Sequence, residues 1–167
     1  MNKILTYLVV DTETTGLCNM RLPYNDSTLY PQSVDSEFWP WITEITFNKY
    51  QLIDGKSVLL KENSYYITPS YEHEMYSVEA REKTGISLEK LAALGEPLAL
   101  VMKLFLAELK SVDFVVAHNS TFDMKVIKAA FFRCDIDYHL RTVPWIDTMY
   151  YGREFLGKYF RRYKYPK

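Results

Sequence analysis

Ile4 to Val10 is an unbroken apolar, β-branched run of strand length that stops at polar Asp11-Thr12-Glu13-Thr14-Thr15-Gly16. That is the pattern of a buried strand that delivers polar side chains at its end. Ile42 to Ile53 and Ser57 to Thr68 are two further runs rich in β-branched and aromatic residues, and Asp54-Gly55 lies between them. Asp-Gly between two such runs is the strongest short-range hairpin signal, because both turn positions need positive φ. The three runs are expected to form an antiparallel meander.

Helical spacing follows. Tyr71 to Thr84 reads as a short helix with Gly85 at its C-cap. Pro97 opens Leu98 to Leu109, where the leucines, Val101, Met102 and Phe105 recur at helical period and Pro97 suits the first turn. Asp113 to Ala117 is a short apolar strand. Ser120 to Phe132 lines up Phe122, Val126, Ile127, Ala130 and Phe131 on one helical face. Thr142 to Ile146 is a last strand candidate, with Asp147 placed to cap a final helix. Three strands, helix, strand, helix, strand, helix make a mixed α/β sheet with crossover helices.

Composition narrows the class. With 167 residues, 48% of them hydrophobic, the chain supports one domain with a buried core, residues 1–167 being read as that domain. A net charge of −1 gives no global attraction to polyanions, so a nucleic-acid partner must be held locally. Cys18 and Cys134 form neither a C-x-x-C pair nor a metal-ligand spacing, which argues against a disulfide scaffold. The N-terminal apolar run is too short for a signal peptide and none reaches membrane-spanning length, so the expectation is a soluble, cytoplasmic protein with no membrane partner. Between Cys18 and Trp41, Pro23, Asn25, Asp26, Ser27, Pro31, Ser33 and Pro40 mark a long loop, whose Phe38, Trp39 and Trp41 are read as covering the sheet edge.

The candidate chemistry begins at Asp11 and Glu13. Residues two apart on a strand share a face, so both carboxylates address one site. Paired carboxylates repel unless a cation joins them, and hard oxygen donors suit Mg²⁺ or Mn²⁺. A solvated turn at a strand end is the bland alternative. Read whole, Asp11-Thr12-Glu13-Thr14-Thr15-Gly16-Leu17 resembles the first motif of the DnaQ-like 3′→5′ exonucleases, the family of the proofreading subunit of bacterial replicative DNA polymerase. His118-Asn119-Ser120-Thr121-Phe122-Asp123 is similar to that family's second motif, H-N-x-x-F-D, again between a strand and a helix. Glu44-Ile45, Lys83-Thr84-Gly85-Ile86, Gly95-Glu96-Pro97 and Asp147-Thr148-Met149 resemble its framework features, with Thr84 standing where many relatives carry histidine.

The resemblance implies a ribonuclease H-like fold, which the element order also fits. It further implies a two-metal phosphodiesterase that removes nucleotides from single-stranded DNA or RNA 3′ ends, in the setting of proofreading or repair, beside a polymerase or another replication protein. Asp11, Glu13 and Asp123 would hold the cations. Thr14, Thr15, Leu17, Asn119 and Phe122 would cradle the terminal nucleotide. Each cradle residue also has a structural reading: Phe122 as core, Asn119 as a helix cap, His118 as a satisfied structural histidine, and Asp123 as a partner of the helix dipole.

The family's third motif, H-x-x-x-x-D or Y-x-x-x-D, supplies the general base and a fourth carboxylate. After Asp123 the aspartates are Asp135, Asp137 and Asp147, and His139 precedes Asp147 by eight positions where five are needed. The expectation is therefore a chain truncated before that motif, with weak or no activity as it stands. The rival reading is a catalytically inactive nucleic-acid-binding or accessory module that keeps the fold. The basic, tyrosine-rich tail (Arg153, Lys158, Tyr159, Arg161, Arg162, Tyr163, Lys164, Tyr165, Lys167) is read as a solvated helix face rather than a strand-binding track.

Overall fold

The computed structural model describes residues 4–17, 39–70 and 75–159, with side chains described through Phe155. Six strands form one sheet in the order β3-β2-β1-β5-β6, with β4 pairing to β2. β1 (Leu5–Thr14), β2 (Ile42–Ile53) and β3 (Lys56–Lys61) are the expected meander, and β5 (Phe114–Ala117) and β6 (Trp145–Asp147) run parallel to β1. The turn residues Asp54 and Gly55 take φ of 48° and 75°, as a type I′ hairpin requires. This is a ribonuclease H-like α/β fold.

The run expected as one strand over Ser57 to Thr68 is broken into β3 and β4 (Ser64–Tyr66). The cause is Asn63, which is buried and donates its side-chain amide to Phe47 O at 3.1 Å while its own N–H reaches Asn48 Oδ1 at 2.9 Å. A buried polar side chain satisfied by backbone leaves the pleat at that point. β6 likewise starts only at Trp145. Pro144 has no N–H to give the ladder, although its carbonyl accepts from Val115 N at 2.9 Å.

Helices α1 (Val78–Thr84), α2 (Leu88–Leu94), α3 (Leu98–Leu109), α4 (Ser120–Arg133) and α5 (Thr148–Tyr159) complete the chain. α1 ends as expected on left-handed Gly85, while Pro97 stands one position earlier than expected, at the N-cap of α3. α2 has no counterpart in the sequence reading: seven residues with only Leu91 buried carry too little periodicity to detect. The core lies between one sheet face (Leu8, Val10, Ile45, Phe47, Val115) and the inward faces of α3 and α4 (Val101, Met102, Phe105, Val126, Ile127, Phe131). On the opposite face Tyr7 stacks between Tyr50 and Phe114, with ring centroids 5.5 and 5.0 Å away.

Most of the Cys18 to Trp41 loop and of the basic tail, and the start of the Tyr71 to Thr84 segment, lie outside the described residues. Among the described residues no helix is long and apolar enough to cross a membrane.

Candidate active site

β1 does not stop at Val10 but continues to Thr14, so Asp11 and Glu13 sit on the strand itself. Alternation then decides which way each side chain goes. Leu8, Val10, Thr12 and Thr14 are buried toward the helices, while Asp11 is exposed and Glu13 half-buried on the other face. Glu13 lies directly across the ladder from Glu44, and burial raises its carboxyl above the ordinary range. Asp11 and Glu44 push the same way, and only the Lys83 ammonium among these neighbours opposes them.

Asp123 enters from α4. It occupies the first turn of that helix and is 3% exposed, yet it is not left without a partner, because Thr12 donates its hydroxyl to Asp123 Oδ1 at 2.8 Å. Burial pushes the Asp123 carboxyl up to about 7; the Thr12 hydrogen bond pulls it down, and the nearby Asp11 charge pushes it up again. Asp11 thus raises the proton affinity of both Glu13 and Asp123. Repulsion of Asp11 against each of the other two carboxylates is of the kind a divalent cation relieves.

Among the described residues no three His, Cys, Asp or Glu side chains close into a coordination cluster. The donors Asp11, Glu13 and Asp123 are all carboxylate oxygens, the ligand chemistry that suits Mg²⁺ or Mn²⁺ rather than a structural zinc.

Glu13 opens onto a cavity of about 590 Å³. Its walls are Thr12 to Leu17 from the end of β1, Trp39 and Pro40, the α1 residues Glu79, Ala80, Lys83 and Thr84 with Met75 and Ser77 ahead of them, and Phe122 of α4. Of the expected cradle, Thr14, Thr15, Leu17 and Phe122 line this space, and Asn119 does not. Thr15 is the pivot: its N–H donates to Trp41 O at 2.9 Å, its hydroxyl accepts from Trp41 N at 3.1 Å, and its carbonyl accepts from Ser77 N at 3.1 Å. One residue therefore ties the motif to both walls. Thr14 turns inward and donates to Gly16 O at 2.7 Å, and Leu17 is exposed.

The bland readings are resolved individually. Phe122 packs against the core and also faces the cavity. Asn119 stands at the N-cap of α4 in a left-handed conformation (φ 61°), but its side chain caps nothing. His118 Nδ1 pairs with Thr148 Oγ1 at 3.1 Å. The sequence reading passed over Lys83 and Ser77 as site residues. The N-cap pattern of Ser77 ahead of α1 was the available signal, but only the fold brings it to Thr15.

No protein-family model matches the chain. DNA polymerase III PolC-type of Streptococcus pyogenes serotype M5 is 29% identical over 156 residues, which is 93% of this chain and 9% of the polymerase. The same protein of serotype M1 matches equally. Product-bound exonuclease I superposes with a TM-score of 0.70 over 98% of this chain and 34% of that one, at 17% identity. E. coli exonuclease I bound to a dT13 oligonucleotide gives a TM-score of 0.68 at 18% identity, over 98% of this chain and 32% of that one.

The chain is related to the DnaQ-like exonucleases. It spans about a tenth of the length of the polymerase relatives, so the likeness concerns an exonuclease-like unit and not a polymerase.

Proposed function

We propose that this chain is a metal-dependent 3′→5′ exonuclease unit acting on single-stranded DNA or RNA ends. What supports the reading is that Glu13 opens onto the cavity of about 590 Å³ while Asp11, beside it on β1, acts electrostatically on both Glu13 and the α4 residue Asp123. All of it sits at the carboxyl ends of parallel strands, where open α/β sheets place their ligands.

Asp11 and Glu13 would hold the cation from one strand face, and Asp123 would support it from α4. When bound, divalent cations neutralise the phosphodiester and generate a nucleophilic water. The protein's own residues do the positioning. Thr12 holds Asp123 in place, Thr15 fixes the spacing between the carboxylates and both cavity walls, and Phe122 offers an apolar surface to a base. Lys83 lines the cavity, its positive charge acts on Glu13, and it suits a nucleotide phosphate entering that side.

The test is release of mononucleotides from 3′-labelled single-stranded DNA and RNA in Mn²⁺, beside an Asp11→Ala/Glu13→Ala control. Release that the control abolishes supports the reading. Tight binding of the strands without release would favour the alternative, an inactive nucleic-acid-binding module that retains the fold.

A further inference from the structure

Asp147 carries more than its own helix. As expected of a cap, its Oδ1 accepts from Met149 N at 2.9 Å and from Tyr150 N at 3.4 Å at the start of α5. The same carboxylate also reaches the start of α4. Oδ1 accepts from Asn119 N at 3.0 Å, and Oδ2 accepts from Ser120 N at 3.1 Å and from Ser120 Oγ at 3.2 Å. These backbone and hydroxyl donors hold the Asp147 carboxyl below the ordinary range, although burial acts against them.

This arrangement follows from the sheet. β5 and β6 run parallel in a register that sets Ala117 beside Asp147, so the two strands end side by side and both helix starts fall within reach of one side chain. α4 needs that help. Its N-cap residue, Asn119, is a non-glycine residue in the left-handed region, and its own side chain makes no capping bond. A helix start ordinarily capped from within is here capped from the neighbouring strand. Thr148 reinforces the link, since its hydroxyl pairs with His118 Nδ1 at 3.1 Å and lies 3.3 Å from Ala117 O.

We infer that Asp147 is a positioning residue for the carboxylate site: it locks the left-handed turn at Asn119, and through the first turn of α4 it fixes Asp123 against Thr12. The inference rests on the reading of Asp123 as a cation ligand. Asp147 touches neither cation nor substrate. Its effect is transmitted by backbone, over the five residues from Asn119 to Asp123.

The experiment uses the full chain with Asp147→Ala and the milder Asp147→Asn, which keeps an acceptor for Asn119 N and Met149 N. Mn²⁺ affinity is measured by electron paramagnetic resonance, and folding is followed by far-ultraviolet circular dichroism. The Asp11→Ala/Glu13→Ala protein identifies the specific Mn²⁺ site. Groups that orient a metal's ligands typically change its affinity by about 10–100-fold. We expect Asp147→Ala to weaken the Asp11/Glu13-dependent site by about tenfold or more while remaining folded, and Asp147→Asn to recover part of the loss.

Unchanged Mn²⁺ affinity in folded Asp147→Ala overturns the inference, because a purely structural cap would lower the melting temperature and leave the site intact. If Asp147→Ala fails to fold, Asp147→Asn decides alone. Mn²⁺ binding without strand cleavage by the unsubstituted chain sinks the exonuclease reading and leaves this inference standing. Absence of any Asp11/Glu13-dependent Mn²⁺ site overturns both.

Discussion

Thr12 and Asp123, 111 positions apart in sequence, meet in the interior through a 2.8 Å hydrogen bond from the hydroxyl to Oδ1. Thr12 is the inward residue between two outward carboxylates, so the alternation that presents Asp11 and Glu13 to solvent also sends Thr12 to receive the α4 aspartate. Thr12→Val keeps the shape and removes the donor. At pH 8 a hydrogen bond to a buried charged acceptor is lost, which should cost about 1–2 kcal/mol; at pH 5, where Asp123 is protonated, the cost should be smaller. Thr12→Ser should restore the difference. Urea unfolding of the three proteins at both pH values measures it, and equal losses at pH 5 and 8 would contradict the assignment.

The Asp123 carboxyl also sets a pH dependence. Its pKa rises from 3.8 to about 7 on folding, so between those values the folded chain holds a proton that the unfolded chain has released. Stability must then fall as pH rises through that window, with no contribution below it. Without divalent cations the loss between pH 5 and pH 8 should be about 2–3 kcal/mol. Asp123→Asn should flatten this slope. Chelator-treated protein unfolded in urea at several pH values gives the curve, and on the proposed function added Mg²⁺ should recover part of the loss at pH 8.

Gly95 illustrates a close approach with ordinary backbone angles. A Cβ there would lie 2.3 Å from Leu91 O and 2.5 Å from Thr68 N, both backbone atoms that cannot swing aside. The junction is fixed on each side by Thr68 N donating to Glu96 O at 3.0 Å and Glu96 N donating to Tyr66 O at 2.8 Å. Gly95→Ala should therefore destabilise by about 3 kcal/mol, at the upper end of overpacking costs. A thermal melt within a degree or two of the unsubstituted protein would show that the loop relaxes instead.

Much of this arrangement is legible in the sequence where a local pattern sufficed. The Ile42 to Ile53 strand and the Leu98 to Leu109 helix have the predicted bounds, because each repeats its period for a dozen residues. The exonuclease relationship was legible because two motifs carry it. What sequence could not give was long-range. Asn63 breaks a strand by bonding to a neighbour it meets only across the sheet, and Asp147 looks like the cap of one helix until β5 and β6 are set side by side. Lys83 is one of many lysines until α1 folds against β1 and brings it to Glu13.

Arg133 offers a test of the cavity wall. From the last turn of α4 it donates to Trp39 O at 2.7 Å and to Pro40 O at 3.2 Å, and its guanidinium lies 4.0 Å from the centre of the Trp41 ring. Burial lowers its pKa to about 10, which leaves it charged at neutral pH, so the two carbonyls receive charge-assisted bonds. Trp39 and Pro40 line the cavity, and Trp41 is bonded to Thr15, so this clamp sets where the wall stands relative to the carboxylates. Arg133→Ala should cost roughly 2–3 kcal/mol of stability. Arg133→Lys should recover little of it, since an ammonium cannot span both carbonyls while stacking on an indole. On the proposed function the two variants should weaken nucleoside monophosphate binding more than Mn²⁺ binding, because the carboxylates stand on β1 and the first turn of α4, away from this contact. Parallel titrations of each folded variant with Mn²⁺ and with dTMP separate the effects. An equal loss of both would mean that the wall and the carboxylates move as one unit.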